Sequence, residues 1–248
     1  MISLPFRPPR RGTRRPRVLR GVRVYAIGDI HGRADLLAQL FKRVDEDFAG
    51  APALQSLEVF LGDYVDRGPA SRQVIDLLIE RARRHHTALL KGNHEALLAD
   101  FLHKPSTLDM WQRLGGLETL MSYGITPSMN ADAQKQAQLA HSLDGALPPS
   151  HKHFLGNLRT SFAFGDYFFV HAGVRPKVAL EKQREEDLLW IRQEFLLYEE
   201  DFGKIVVHGH TPVQEPDIRS NRINIDTGAY ATGRLTCLVL EEDTMRIL

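Results

Sequence analysis

Three observations predict that this chain adopts an α/β fold. In the first hundred residues, short apolar runs alternate with stretches whose apolar residues recur at helical spacing. Over residues 96–158 the strand pattern vanishes and only helical periodicity remains. From Tyr167 onward, short apolar runs bordered by turn residues return. At 248 residues with 43% hydrophobic content, the chain is long enough for one well-buried domain.

Arg23-Val24-Tyr25-Ala26-Ile27 reads as a buried strand, and Leu36, Leu37, Leu40, Phe41, Val44 and Phe48 then mark the buried face of a helix. Leu57-Glu58-Val59-Phe60-Leu61 is a second strand, followed by a helix carrying Val74, Ile75, Leu78 and Ile79. Thr87-Ala88-Leu89-Leu90 is a third, and three strand–helix units in succession predict a parallel sheet. The stretch 96–158 reads as a helical excursion over the site, with helices around 110–121, 131–141 and 150–158 separated by Pro127 and by Pro148-Pro149. Strands at 167–170, 204–207, 222–225 and 235–240 are expected to form a second sheet, with one helix near 185–198.

The formal net charge of +1 hides an asymmetry. Eight arginines and no acid lie in residues 1–23, which leaves 24 basic against 31 acidic residues, or −7, for residues 24–248. Residues 1–20 are therefore expected to form a loosely ordered basic arm, solubilising or folded back on the acidic body, and 21–248 the catalytic domain. An acidic body argues against a long nucleic-acid groove and leaves the arm as the one candidate contact to nucleic acid. Cys237 stands alone inside a strand, so no disulfide framework forms within the chain. No run approaches the ~18 to 20 apolar residues of a membrane span, and no apolar segment follows the first arginines; a cytoplasmic protein is expected.

Five polar blocks stand where strands end: Gly28-Asp29-Ile30-His31-Gly32, Gly62-Asp63-Tyr64-Val65-Asp66-Arg67-Gly68, Gly92-Asn93-His94-Glu95, His171-Ala172-Gly173-Val174 and His208-Gly209-His210-Thr211. Strand ends are where α/β folds place their chemistry. Asp29 and His31, one residue apart, can point the same way from an extended loop and form a pair for one metal. Asp63 can bridge two ions, and Asn93, His171 and His210 arrive from three further strand ends. Two divalent ions roughly 3.5 to 4 Å apart lower the pKa of a shared water enough for it to attack phosphorus at neutral pH. Carboxylates, imidazoles and one amide oxygen suit Mn²⁺, Fe or Zn²⁺ better than Ca²⁺, which prefers cages made of oxygen alone. Each block alone is weak, whereas five in this order are specific.

On these blocks the chain resembles the PPP family of metal-dependent serine/threonine phosphoprotein phosphatases, within the calcineurin-like metallophosphoesterases, over about residues 22–240. The resemblance implies a central two-sheet β-sandwich flanked by helices, in αββα layers. It implies two divalent ions, Mn²⁺ being the expected one in vitro, with Asp29, His31 and Asp63 on one and Asp63, Asn93, His171 and His210 on the other. His94 takes the role of general acid toward the leaving oxygen, with Asp66 as its partner, a contribution typically of ~10²- to 10⁴-fold. Arg67 presents a planar fork of donors to the phosphoryl oxygens, and Arg192 corresponds to a second phosphate-binding arginine. Pro212 stands where the wider superfamily often places a further ligand, so His208 is read as structural. His171-Ala172-Gly173-Val174 and Ile223-Asn224-Ile225-Asp226-Thr227-Gly228-Ala229 are similar to bacterial and phage members.

Other residues have plainer readings. His85, His86, His103, His141, His151 and His153 are read as surface or helix-end residues. Glu95 is either support for a ligand or a helix-start acid, Asp226 either a buttress of the site or, more simply, a turn residue, and Trp111 with Gly115-Gly116 either part of a lid or ordinary helix packing. The expected function is a dinuclear-metal phosphomonoesterase, a serine/threonine or dual-specificity protein phosphatase in which a bridging hydroxide attacks a phosphorylated protein or small phosphoester. The alternatives are a dinucleoside polyphosphate hydrolase, whose good leaving groups depend less on His94, and a non-catalytic phosphoprotein-binding module. Substrate specificity is expected to lie in residues 96–158.

Overall fold

In a computed structural model that describes residues 15–50, 55–128 and 130–248, β1 (Val22–Ile27) leads through α1 (Ala34–Ala49) to β2 (Gln55–Phe60), and β2 through α2 (Ser71–Arg84) to β3 (Thr87–Leu89). The excursion follows as α3 (Asn93–His103), α4 (Leu108–Arg113), α5 (Gly116–Ser122), α6 (Ala133–Ala146) and α7 (Pro149–Gly156). Then come β4 (Ser161–Phe164), β5 (Tyr167–Val170), α8 (Glu185–Trp190), α9 (Gln193–Leu196), β6 (Ile205–His208), β7 (Asp217–Ile218) and β8 (Arg222–Asn224). The described chain ends with α10 (Ala229–Thr232), β9 (Cys237–Glu241) and β10 (Thr244–Ile247).

These strands form two five-stranded sheets, ordered β10-β9-β1-β2-β3 and β4-β5-β6-β8-β7. In the first, β1, β2 and β3 are parallel, with Ala26 opposite Val59 and Val59 opposite Ala88. In the second, β5, β6 and β8 are parallel. Period-two alternation along the strands sorts the layers. Val24, Ala26, Val59, Leu61, Ala88 and Leu90 pack against Tyr167, Phe169, Val207, Ile223 and Ile225 in the core between the sheets. The opposite face of the first sheet, with Tyr25, Ile27 and Phe60, meets Leu37, Leu40, Val44, Val74, Ile75 and Leu78 of α1 and α2. The outer face of the second, with Phe168, Val170 and Val206, meets Leu188, Ile191 and Phe195. The αββα sandwich implied by the motifs is the observed fold.

Three expectations change. β9 does not join the second sheet: it pairs antiparallel with β1 in the first, where Leu238 and Leu240 complete the inter-sheet core and Cys237 and Val239 face the helices. The single helix expected at 110–121 is two, because Gly115 adopts φ +98° and turns the chain between α4 and α5. The helix expected at 185–198 is likewise two, parted where Arg192 leaves helical geometry at φ −131°, ψ −97°.

Residues 1–14 of the basic arm lie outside the described residues. Arg17 donates its backbone N–H to Asp166 and accepts one from it, and Val18 is buried in the inter-sheet core, so the packed domain reaches back at least to Arg17. Among the described residues no helix is long and apolar enough to cross a membrane.

Candidate active site

The loops that leave β1, β2, β3, β5 and β6 converge, and they do so on strained backbone. His31, Asp63, Asp66, Arg67 and His210 all have positive φ, between 45° and 72°, a conformation costing on the order of 1 to 3 kcal/mol for a residue with a side chain. Such outliers persist where the surrounding contacts hold them. Glycine lets the loops touch: a Cβ at position 209 would lie 2.0 Å from Asp29 Oδ1, and one at position 92 would lie 2.1 Å from Asp63 Oδ1.

Asp63 stands at the centre. Its Oδ2 faces His31 Nε2 at 3.5 Å and His94 Nε2 at 3.7 Å, while its Oδ1 faces His171 Nε2 at 3.4 Å. Asn93 Oδ1 lies 2.8 Å from both His171 Nε2 and His210 Nδ1. His31, Asp63 and His94 form one group able to hold a cation, and Asp63, His171 and His210 form another, with Asp63 shared.

Protonation makes the same point. Burial pushes His31 down to about 3 and His210 to about 2, and holds His171 below the ordinary histidine value, so all three imidazoles are neutral near pH 7. Nδ1 of His31 meets the carbonyl of Val65 at 3.0 Å, and Nδ1 of His171 meets that of Leu61 at 3.0 Å. A carbonyl only accepts, so each Nδ1 carries the proton and each Nε2 lone pair points inward. At His171, the Nε2 lone pair faces Asp63 Oδ1 and Asn93 Oδ1 with no proton of its own to give, while the His94 backbone N–H donates to Asp63 Oδ1 at 3.2 Å and His210 Nδ1 stands 2.8 Å from Asn93 Oδ1. Among the described residues, Asp29 Oδ1 and His210 Nε2 at this cluster, and His208 Nε2 and Arg222 Nε outside the predicted ligand set, are buried without a hydrogen-bond partner. Burial, then the neighbouring charges of Asp226 and Asp63, pushes the Asp29 carboxyl well above its ordinary range. Converging acceptors of this mixed nitrogen and oxygen type fit divalent transition-metal ions.

Beside this cluster, His94 Nδ1 lies 2.7 Å from Asp66 Oδ2. Burial works against an imidazolium here, but the charge of Asp63 and the hydrogen bond to Asp66 outweigh it, and the His94 pKa stands above the ordinary value. Its Nε2 is 3.3 Å from an Arg67 guanidinium nitrogen. The Arg67 guanidinium lies over the ring of Tyr230, 4.7 Å from the centroid, and that ring packs edge-on to His31. Arg192 lies at the exposed break between α8 and α9, close enough for its charge to act on His171, His210 and Asp226. It helps to line a cleft of about 270 Å³ with Arg175, Trp190, Ile191 and the carboxylates of Glu186, Asp187 and Glu194, and half-buried Trp190 packs edge-on to His210, ring centroids 6.2 Å apart.

Thus His31, Asp63, Asn93, His171 and His210 come together; Asp29 falls in neither cation-holding group, where His94 stands beside His31 and Asp63, and joins the cluster by accepting the His210 backbone N–H at 3.1 Å, with Asp66 and Arg67 alongside and Arg192 at the rim. His208 packs on Phe195, away from the shared acceptors. Sequence reasoning missed Tyr230, which lies outside every motif, and the hydrogen bonds that Trp111 and Thr119 donate to Asp66. Glu95 is more than a helix-start acid: its carboxylate accepts backbone N–H groups from Asp63, Tyr64, Val65 and Gly92. His151 is not a surface residue: it is buried, 2.8 Å from both Tyr123 Oη and Asp76 Oδ1, and it ties α7 to α2.

Residues 22–239 match the calcineurin-like phosphoesterase family. Among curated proteins, the chain is similar to Bis(5'-nucleosyl)-tetraphosphatase PrpE [asymmetrical] of Anoxybacillus flavithermus, 27% identical over 237 residues, covering 86% of this chain and 88% of that one. The same-named protein of Bacillus anthracis is 29% identical over 238 residues, covering 86% and 88%. Among solved structures, a provisionally named diadenosine tetraphosphatase superposes with a TM-score of 0.61 at 19% identity, covering 95% of this chain and 98% of that one. A mutant cold-active protein tyrosine phosphatase gives 0.60 at 15% identity, covering 93% and 80%.

Proposed function

This chain belongs to the calcineurin-like phosphoesterase family, and on that premise we propose that it is a phosphohydrolase dependent on two divalent ions, with dinucleoside polyphosphates as substrates. The observation that carries the substrate assignment is the likeness, over most of both chains, to curated proteins named as dinucleoside tetraphosphatases; the cleft lined by Trp190 and Arg192 meets the metal-ligand cluster where Trp190 packs edge-on to His210.

Asp29, His31 and Asp63 would hold one ion, and Asp63, Asn93, His171 and His210 the other. When bound, the ions supply a water of lowered pKa and positive charge against the phosphate oxygens, Mn²⁺ being the ion proposed for in vitro work. The chain does the rest. Arg67 and Arg192 bind phosphoryl oxygens and orient the phosphorus, with their charge placed where charge develops in the transition state. Asp66 holds His94 by Nδ1, and His94 keeps a proton at Nε2 to give to the departing oxygen.

The buried His94–Asp66 pair supports a second reading, a phosphomonoesterase of the protein-phosphatase kind, because an alkoxide leaves poorly without a proton. Rates on diadenosine tetraphosphate, a phosphoserine peptide and an aryl phosphate, measured with Mn²⁺, decide between them. A higher kcat/KM on the dinucleotide is the expected result, and turnover of the phosphopeptide alone would overturn the assignment.

A further inference from the structure

Asp66 is fully buried, and a carboxylate in that position must have every oxygen hydrogen bonded. The donors come from the helical excursion. Trp111 Nε1 donates to Oδ2 at 2.8 Å, and Thr119 Oγ1 donates to Oδ1 at 2.6 Å. The backbone N–H of Asp66 is shared between Ser71 Oγ at 3.0 Å and Thr119 Oγ1 at 2.9 Å. Because the Thr119 proton is committed to Asp66, the Ser71 hydroxyl, 3.0 Å away, donates to Thr119. One arrangement of protons satisfies the whole set.

Its consequence reaches His94. The indole N–H can only donate, so Oδ2 is an acceptor and the proton between it and His94 sits on Nδ1. Nε2 is left as the atom that faces Arg67 and Asp63. The same corner holds the next residue: Arg67 donates its backbone N–H to Gly115 O at 3.0 Å, and a Cβ on Gly115 would meet that nitrogen at 2.7 Å. Asp66 and Arg67 are consecutive left-handed residues, at φ 72° and 66°, and contacts from outside their loop keep them there.

We propose that the corner between α4 and α5, through Trp111, Gly115 and Thr119, is the positioning element for leaving-group protonation. Through Trp111 and Thr119 it fixes Asp66 so that His94 presents Nε2 to the departing oxygen, while Gly115 separately holds the backbone of Arg67. None of the three residues touches substrate in this role, which rests on the reading of His94 as the acid. The part of the excursion expected to select substrates thereby serves the chemistry.

Removing a donor from Asp66 should weaken proton transfer while leaving the remainder of the site in place. Thr119→Val and Trp111→Phe are compared with wild type and Thr119→Ser on phenyl phosphate, a poor leaving group, and on 4-nitrophenyl phosphate, a good one. We expect Val and Phe to lose on the order of tenfold or more on phenyl phosphate and under about threefold on 4-nitrophenyl phosphate, with Ser near wild type. Equal losses on both substrates would overturn the proposal. A second readout avoids turnover: in Mg²⁺ buffer the hydrogen-bonded Nδ1–H of His94 gives a downfield proton resonance, assigned by its disappearance in His94→Gln. It should broaden into exchange with water in Thr119→Val, and an unchanged resonance in both Thr119→Val and Trp111→Phe would overturn the proposal. Failure of the substrate assignment would appear separately, as a wild-type enzyme inert to diadenosine tetraphosphate, and leaves both readouts intact.

Discussion

Glu95 accepts the backbone N–H of Asp63 at 2.9 Å, and so the first turn of α3 holds the loop that carries the shared carboxylate. Three further N–H groups, from Tyr64, Val65 and Gly92, converge on the same two oxygens. Glu95→Gln turns an NH₂ toward those donors and leaves at least one of them unpaired in the interior. The expected loss is about 1 to 3 kcal/mol in urea unfolding, with metal affinity weakened about 10- to 100-fold by calorimetry. A variant with wild-type stability and wild-type affinity would show that Glu95 does not support the site.

Asp226, read from the sequence as a turn residue or a buttress of the site, accepts the N–H of Gly228 at 2.8 Å, and burial raises its carboxyl from 3.8 to about 6. The folded chain therefore binds this proton more tightly than the unfolded chain. Stability from this group is complete below about pH 4 and is lost as pH rises through 6, a loss of up to about 3 kcal/mol without metal. Asp226→Asn keeps the acceptor and removes the charge. In chelator, its urea midpoint should exceed that of the wild type at pH 7.5 and not at pH 4. Equal gains at both pH values would place the effect elsewhere.

Among the described residues, Trp190 is the one aromatic residue lining the cleft of about 270 Å³, and it packs edge-on to His210. Stacking of a base on such a ring is worth about 1 to 3 kcal/mol, so Trp190→Ala should raise KM for diadenosine tetraphosphate by roughly 5- to 150-fold, with kcat changing far less. Trp190→Phe should recover most of the loss. A kcat collapse at constant KM would instead make Trp190 a support for His210.

Much of this was legible because local pattern and global fold agree. The runs ending at Ile27, Leu61 and Leu90 each place a polar block at a strand end, and all three blocks reach the site. What stayed hidden depends on partners distant in sequence. Cys237 to Leu240 alternates correctly for a sandwich strand, but alternation defines faces and not neighbours, and the pairing with β1 spans more than 200 residues. Leu188, Ile191 and Phe195 keep helical spacing straight through the break at Arg192, so periodicity conceals it. Trp111 reads as an apolar helix residue, yet its one polar atom decides its role. Tyr230 stands in no motif and meets Arg67 only through the folding of α10 onto the site.

The central claim is that two ions, sharing Asp63, run hydrolysis of a dinucleoside polyphosphate here. The rate on diadenosine tetraphosphate, measured against added Mn²⁺ after complete chelation, tests it most directly. The account predicts no turnover in the stripped protein and full turnover once two ions are bound per chain. Turnover that survives chelation, or none at any Mn²⁺ concentration, would contradict it.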